Sequence, residues 1–340
     1  MLETIWLLLW GLLWGIYFML DGFDLGLAIL LPFLAKDEQE KNTIYNAIGP
    51  FWDGNEVWLV AAGGVTFAAF PAAYAVMFSS LYSPLMIILF ALILRAVSIE
   101  FRGQIENPPW KLFWDRCLMI GSFIPAFFFG VVFANIFRGI PIDGAGIFQG
   151  SILALFNMYG IAGGIFFVLL FLLHGSLWLA IKSEGALMER AGRLSRKLSI
   201  VLTAVIPLFL ILSYFWTGLF TNYLNHPLLF IIPLVVIISF VMMFLFIGRG
   251  AWWKAWFSSS VVIVDVVLFA IVGLYPNLLP SSLDASYSMT IYNSSSSPLT
   301  LKIMLAVVLV VLPLVVIYQG WVYWLFRDPL SEEDLPHESY

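Results

Sequence analysis

Ionisable side chains lie inside or at the ends of the first three apolar segments of this chain. Charged groups in hydrocarbon cost at least ~2.5 kcal/mol each, so they are rare there and usually mark a site, an ion pair or a proton path. Burial also disfavours the ionised form of a carboxyl group, which lets such a group take up and release protons near neutral pH. We therefore predict a proton path along the acids of these segments, with one cation among them: Asp21, Asp24, Asp53, Glu56, Glu100 and Arg95.

Spacing places these acids in pairs on common helix faces. Asp21 and Asp24 are three residues apart, and so are Asp53 and Glu56, which is the separation of neighbours on one side of a helix. An alternative for the second pair is that it only caps a helix N-terminus, where acids are favourable. Capping does not explain Asp21 and Asp24, which lie in the middle of the apolar segment 5–34.

Arg95 has an alternative role of its own. It could pair with Glu100 and hold helices together, although Glu100 is five residues further on and needs another helix to bring it a partner. Arg95 and Arg102 are seven residues apart and share one side of a helix.

The composition identifies the elements that must position these groups as membrane helices. Of 340 residues, 62% are hydrophobic and 11% are charged, which indicates an all-α, polytopic membrane protein. The formal net charge is -5 and no basic run occurs, which excludes nucleic-acid binding. A span needs roughly 20 mainly apolar residues, and nine segments qualify: 4–34, 53–73, 77–103, 113–137, 148–181, 199–220, 227–247, 258–275 and 300–326.

Loop charge predicts the orientation in the membrane. The loops that follow odd-numbered spans, with the C-terminal tail, hold all the loop Lys and Arg residues except Arg138 and Lys302. By the positive-inside rule, the N-terminus lies outside and the C-terminus in the cytoplasm. With a rise of 1.5 Å per residue, Asp24 then lies about 15 Å and Asp21 about 20 Å from the cytoplasmic face.

The sequence offers few residues that could ligate a metal or a haem. His174 is the one histidine within a predicted membrane helix, since His226 is in a loop and His337 is in the tail, and Cys117 is the single cysteine. No zinc-type spacing of His and Cys occurs, so we predict that the chain ligates no metal and no haem. Asp265, in the eighth span, could join the acids or face a partner subunit.

Several sequence motifs, in order along the whole chain, resemble subunit II of the cytochrome bd-type quinol oxidases. They are Asp21-Gly22-Phe23-Asp24-Leu25-Gly26, Trp52-Asp53-Gly54-Asn55-Glu56-Val57-Trp58-Leu59, Arg95 through Arg102, Phe113-Trp114-Asp115, and Leu279-Pro280-Ser281-Ser282 followed by Ser294 to Thr300. The chain departs from the family pattern at two places. Tyr292-Asn293 stands where family members often have Trp-Asp, which puts in doubt any role for an acid in that exterior loop. Glu100 stands where Asp is frequent.

The resemblance implies a fold of two four-helix bundles, 1–140 and 148–276, with a peripheral ninth helix at 299–327 and a cytoplasmic tail at 328–340. It further implies a bacterial cytoplasmic-membrane complex with subunit I, which holds the b-type haems, haem d and the quinol-oxidising loop. For the proton path the matching residues are Asp53 and Glu100, then Asp21, Asp24 and Glu56. Arg95, Trp52 and Asn55 match as structural or charge partners.

These expectations describe a subunit of a terminal oxidase that couples quinol oxidation to reduction of O2 to water, with protons taken from the cytoplasm. Small single-helix accessory subunits and a quinone bound in this chain stay open. A proton-coupled secondary transporter is the rival from another class, because it too has many helices and carboxyl groups at mid-membrane. A third possibility is a purely structural scaffold, in which the acids serve only to retain haem.

Overall fold

Long apolar helices make up most of the chain in the computed structural model, which describes residues 1–330; part of the predicted tail, with His337, lies outside these residues. The helices are α1 (Leu2–Leu34), α2 (Glu38–Ile48), α3 (Trp52–Ala69), α4 (Pro71–Ser80), α5 (Tyr82–Phe101), α6 (Pro108–Arg138), α7 (Met158–Lys182), α8 (Gly185–Trp216), α9 (Phe220–Asn225), α10 (Ile231–Gly248), α11 (Trp252–Leu274), α12 (Ile291–Ser294) and α13 (Pro298–Leu325). Two short antiparallel strands, β1 (Asn277–Leu279) and β2 (Met289–Thr290), join α11 to α12.

The all-α, polytopic membrane architecture predicted from composition is confirmed. Within the described residues, eight helices are long and apolar enough to cross a membrane: α1, α5, α6, α7, α8, α10, α11 and α13. The predicted second span corresponds to α3, an 18-residue helix that begins with a polar turn and ends at Ala69, before Phe70 and Pro71. The count of nine spans therefore stays a prediction.

The segment 182–197, predicted as an interior loop, is mostly helix, because α8 begins at Gly185. Leu187, Ala191 and Leu198 are buried while Glu189 and Lys197 are exposed, so this part of α8 is amphipathic with a helical period. A hydropathy window misses such a segment because its average is polar.

Helix α1 lies at the centre of the fold and packs against α3, α6, α7 and α11. It is mainly apolar and most of its residues are buried, as expected of a helix with several neighbours. Because α3 and α6 belong to the predicted first bundle and α7 and α11 to the second, α1 contacts helices of both. The division of the chain into two bundles stays a prediction.

Helices α1 and α7 approach each other most closely at two glycines. A Cβ atom on Gly26 would lie 1.8 Å from the carbonyl oxygen of Phe171, and one on Gly175 would lie 2.4 Å from the backbone nitrogen of Leu27. Small residues at such crossings let helix backbones meet in a membrane. This contact fixes the position of α1, and with it the position of the acids that α1 carries.

Replacing Gly26 with alanine is expected to lower the stability of the protein by at least ~1–3 kcal/mol, the usual cost of overpacking, because the obstructing atoms belong to the backbone. The measurement is thermal unfolding in detergent. Gly320→Ala in α13 is the matched control, since a Cβ there meets nothing within 4 Å. Equal melting temperatures for the two variants would contradict the close α1–α7 contact.

Helix α13 lies at the periphery, and Leu301 is its one buried residue. Polar contacts hold it near both ends. The indole N–H of Trp6 donates to the carbonyl oxygen of Leu301 at 3.1 Å, and the Lys182 ammonium donates to the carbonyl oxygens of Phe326 and Asp328 at 2.5 Å each.

Candidate functional site

A buried ionic cluster joins α1, α3 and α5. Nη2 of Arg95 lies 2.7 Å from Oδ1 of Asp21 and 2.6 Å from Oε1 of Glu56. Arg95 and Asp21 are 1% and 0% exposed, whereas the Glu56 side chain is 25% exposed. The guanidinium therefore bridges a fully buried carboxyl group and one that reaches toward the surface.

The backbone packing of α5 on α6 positions Arg95. A Cβ atom on Gly121 of α6 would lie 2.8 Å from the backbone nitrogen of Arg95 and 2.8 Å from the carbonyl oxygen of Ala91. The two helix backbones are thus in direct contact at this level, which leaves the long Arg95 side chain free to extend to α1 and α3.

Asn55 connects the second α1 acid to the peripheral helix α13. Its side-chain nitrogen donates to Oδ2 of Asp24 at 2.7 Å and to the carbonyl oxygen of Leu20 at 3.2 Å. Its side-chain oxygen accepts from Nε2 of Gln319 at 2.9 Å and from the hydroxyl of Tyr323 at 3.0 Å. Asn55 is fully buried, and all its hydrogen-bonding groups are used.

Several buried polar atoms near the cluster have no partner among the residues that the structure describes. They are Oδ2 of Asp21, Oδ1 of Asp24, Nε and Nη1 of Arg95, the Tyr17 hydroxyl and Nε1 of Trp14. On α1, these residues follow one another at intervals of three or four, so they line one face over about 15 Å. Unpaired buried polar groups are costly, and buried polar groups normally have a protein or ordered-water partner.

The remaining predicted acids do not enter this cluster. Asp53 is exposed, and its carboxylate accepts from the backbone N–H of Gly54 at 2.7 Å. Glu100 is exposed at the end of α5. Asp53 and Glu100 thus lie outside the buried cluster, and their part in the predicted proton path stays a prediction. Asp53 lies at the start of α3 and Glu100 at the end of α5.

Arg95 does not pair with Glu100, the alternative raised from the sequence. Five residues turn the two side chains about 140° apart around α5, and Arg95 faces the acids of α1 and α3 instead. Trp52, another predicted partner, is half-buried in the first turn of α3 and packs against the apolar core.

A second ionic cluster, which the sequence did not single out, lies where α2 meets α5 and α6. Nε of Arg102 is 2.7 Å from Oδ1 of Asp115, Nη2 of Arg102 is 2.7 Å from Oε2 of Glu38, and Lys41 is 2.9 Å from Oδ2 of Asp115. Burial alone would raise the pKa of Glu38, but the hydrogen bond from Lys41 and the charge of Arg102 hold it below its ordinary value. Two cations balance two anions here, so this cluster serves structure.

His174 does not have the geometry of a haem ligand. Its Nε2 lies 2.9 Å from the carbonyl oxygen of Met19, which can only accept, so Nε2 carries the hydrogen and Nδ1 accepts from the hydroxyl of Ser259. Both ring nitrogens are therefore engaged, and the ring stacks on Trp256. Among residues 1–330 no group of three or more His, Cys, Asp or Glu side chains could hold a metal ion.

The sequence assigned no role to three further residues of the site: Gln319, Tyr323 and Trp58. The indole N–H of Trp58 donates to Oε1 of Gln319 at 2.6 Å. An amide within the otherwise apolar ninth segment was the available signal for Gln319. Asp265, whose role was left open, lies on α11, and its Oδ2 is buried and has no partner within residues 1–330.

Known proteins resemble the chain over nearly its whole length. Residues 2–326 match the family model described as cytochrome bd terminal oxidase subunit II. Cytochrome bd ubiquinol oxidase subunit 2 of Bacillus subtilis (strain 168) is 34% identical over 98% of this chain and 98% of its own length. Cytochrome bd-I ubiquinol oxidase subunit 2 of Escherichia coli (strain K12) is 30% identical over 100% and 98%, respectively.

A solved structure shares the fold. The structure of bd oxidase from Geobacillus thermodenitrificans contains a chain that aligns with a TM-score of 0.76, covering 96% of this chain and 98% of that chain at 18% identity. Together with the family match across almost every described residue, this shows that the chain belongs to the cytochrome bd terminal oxidase subunit II family.

Proposed function

We propose that this chain, as the second subunit of a cytochrome bd quinol oxidase complex, carries protons through the cluster of Asp21, Asp24, Glu56 and Arg95. Membership of the family makes the chain part of a multi-pass bacterial quinol oxidase complex whose haems are carried by the complex. The finer assignment, with haem b and haem d in subunit I and quinol and O2 as substrates there, is part of the proposal. When bound in that partner, the haems would pass electrons from quinol to O2 and would supply the iron that binds O2.

Charge imbalance is the observation that supports this function most directly. The cluster holds three carboxyl groups and one guanidinium: Asp21 and Glu56 contact Arg95, Asp24 lies three residues beyond Asp21 on α1, and Asp21 and Asp24 are fully buried. An uncompensated charge in such a place costs several kcal/mol. We infer that the cluster lowers this cost by holding protons that its carboxyl groups share and exchange.

The route follows from the partly exposed member of the cluster. Glu56 connects the surface to Arg95 and Asp21, and the exposed Asp53 lies three residues before it on α3. With the proposed orientation, N-terminus outside and C-terminus in the cytoplasm, Asp53 and Glu100 take up protons at the cytoplasmic end of α3 and α5. Water molecules bridging the unpartnered atoms of Asp21, Asp24 and Tyr17 then carry the protons deeper.

The overall reaction of the complex requires a supply of protons. Reduction of one O2 to two water molecules consumes four electrons and four protons, and quinol oxidation provides the electrons. Protons that enter through this chain would be consumed in this reduction. The proposed task of this chain is therefore delivery, and it forms no covalent bond to substrate.

Asp53→Asn or Glu100→Gln is expected to slow quinol-driven oxygen consumption several-fold while the haem content of the purified complex stays normal. Each change removes a group that takes up protons and leaves the buried contacts intact. Glu106→Gln is the matched control, because Glu106 is 79% exposed in the loop between α5 and α6. Unchanged turnover in both fully haem-loaded variants would remove these two residues from the path.

The other two hypotheses make different predictions. A secondary transporter works alone, whereas membership of this family places the chain in an oxidase complex. A purely structural scaffold predicts that neutralising the buried acids costs haem retention and leaves turnover per haem unchanged. The Asp24 variant described in the Discussion separates that hypothesis from proton delivery.

A further inference from the structure

A directed chain of hydrogen bonds runs from α3 through the peripheral helix α13 to the buried acid Asp24. The indole N–H of Trp58 donates to Oε1 of Gln319 at 2.6 Å, and Nε2 of Gln319 donates to Oδ1 of Asn55 at 2.9 Å. The hydroxyl of Tyr323 donates to the same oxygen at 3.0 Å. Nδ2 of Asn55 in turn donates to Oδ2 of Asp24 at 2.7 Å. A helix at the edge of the fold is thus connected to an acid of the proposed proton path.

The groups at the two ends fix the direction of this chain. An indole N–H can only donate a hydrogen bond, so the atom of Gln319 that faces Trp58 is its oxygen. The backbone carbonyl of Leu20 can only accept, so the atom of Asn55 that lies 3.2 Å from it is its nitrogen. Each amide is therefore held in one orientation. A reversed Asn55 amide would turn its oxygen toward two acceptors, the Leu20 carbonyl and Oδ2 of Asp24.

This orientation makes the two oxygens of Asp24 unequal. Oδ2 accepts the Asn55 N–H, whereas Oδ1 is buried and has no partner among residues 1–330. A donor that faces one carboxyl oxygen favours the form in which that oxygen carries no proton, so a proton on Asp24 resides on Oδ1. Oδ2 of Asp21, three residues earlier on α1, is likewise buried and without a partner in the described part of the chain. These two unpartnered oxygens are the ones available for proton exchange.

We propose, on the basis of the function proposed above, that Gln319 and Tyr323 are positioning residues of the proton path. Through the Asn55 amide they hold Asp24 with Oδ2 as an acceptor and Oδ1 as the site of proton exchange. The two side chains are four residues apart on one face of α13, and both donate to Oδ1 of Asn55. Without these donors the Asn55 oxygen would be a buried acceptor with no partner, which is costly, and the amide could reverse.

Loss of these hydrogen bonds can be separated from loss of α13 itself. The helix is also fastened near its two ends by Trp6 and Lys182, which donate to backbone carbonyl oxygens. Substitutions at Gln319 and Tyr323 leave those contacts in place. We therefore expect such variants to assemble with normal haem content.

The first measurement is quinol-driven oxygen consumption of the purified complex, normalised to haem. Tyr323→Phe keeps the ring and removes the hydroxyl, and Gln319→Met keeps the side-chain length and removes the amide. Each is expected to lower turnover about 2–10-fold, the effect of one neutral hydrogen bond. The matched control is Tyr318→Phe, which makes the same chemical change on α13 at a residue that is 64% exposed. It should keep the wild-type turnover.

The second measurement reports on Asp24 itself. In redox-induced infrared difference spectra of the complex, the carbonyl stretch of a protonated Asp24 is the band that Asp24→Asn removes. In a double variant with Gln319→Met and Tyr323→Phe, this band is expected to shift to higher frequency, because a carbonyl that loses a hydrogen bond has a stiffer C=O bond. If the two residues served only to attach α13, haem content would fall and the band would keep its frequency.

Adding the double substitution to Asp24→Asn separates this role from the proposed function. The acid on which Gln319 and Tyr323 act is then gone, so turnover should fall no further, and an additional loss would contradict the proposal. Wild-type turnover and an unshifted band in the double variant, beside a slowed Asp24→Asn, would overturn the positioning role alone. Wild-type turnover in Asp24→Asn would overturn the proposed function together with this role.

Discussion

Arg95→Gln is expected to abolish quinol oxidase activity and to destabilise the complex by roughly 3–5 kcal/mol, the usual cost of removing one partner from a buried ion pair. Arg95 is the cation in contact with both Asp21 and Glu56, and it is almost fully buried. Without it, Asp21 loses its ion-pair partner inside the protein. The measurements are haem content, thermal unfolding and oxygen consumption of the purified complex.

A double variant tests whether the unpaired charge of Asp21 causes the loss of stability. Arg95→Gln combined with Asp21→Asn removes both members of the pair, so we expect assembly to recover while turnover stays low. Arg193→Gln is the control for loss of a cation, because Arg193 and Glu189 are each 65% exposed and surface pairs contribute little. Normal stability of the Arg95 single variant would contradict a buried ionic cluster that needs its cation.

Asp24→Asn is expected to lower turnover per haem at least about tenfold, since a positioned proton-transfer group contributes ~10²–10⁴-fold to a rate. Asparagine has the size of aspartate and still accepts a hydrogen bond from Asn55, so packing and haem content should stay normal. What the variant loses is a group that takes up and releases protons. The measurement is quinol-driven oxygen consumption, normalised to haem.

Asp265→Asn is the matched control for the Asp24 variant. Asp265 is also an acid within a membrane helix, on α11, and makes no contact with Arg95 or Asn55 among the hydrogen bonds and ion pairs described above. Its replacement should leave turnover unchanged. If Asp24→Asn instead lost haem and kept its turnover per remaining haem, the acids would serve as a scaffold and proton delivery through Asp24 would be wrong.

Hydropathy and loop spacing predicted the long helices and the deep positions of Asp21 and Asp24. Depth follows from position along one helix, and a rise of 1.5 Å per residue converts one into the other. Both acids are fully buried. The direction in which a side chain points between neighbouring helices does not follow from the sequence of one helix. For that reason the partner of Arg95 and the exposure of Asp53 and Glu100 were not predicted.

Contacts between distant segments of the chain were also not predicted from the sequence. Asn55 and Gln319 are 264 residues apart and meet because α13 returns to α3. Arg102 and Glu38 are brought together by the packing of α2, a short amphipathic helix with no span-like signal. The start of α8 at Gly185 was missed for the same reason, since amphipathic helices have a polar average composition.

Proton uptake during a single turnover tests the proton-delivery role of the buried cluster most directly. Fully reduced complex would be mixed with O2, and a pH-sensitive dye in the medium would follow protons while haem absorbance follows oxygen reduction. In Asp24→Asn with a complete haem spectrum, we expect proton uptake and the final step of oxygen reduction to slow together, at least about tenfold. Uptake at the wild-type rate in that variant would show that protons reach the oxygen-binding iron by another route.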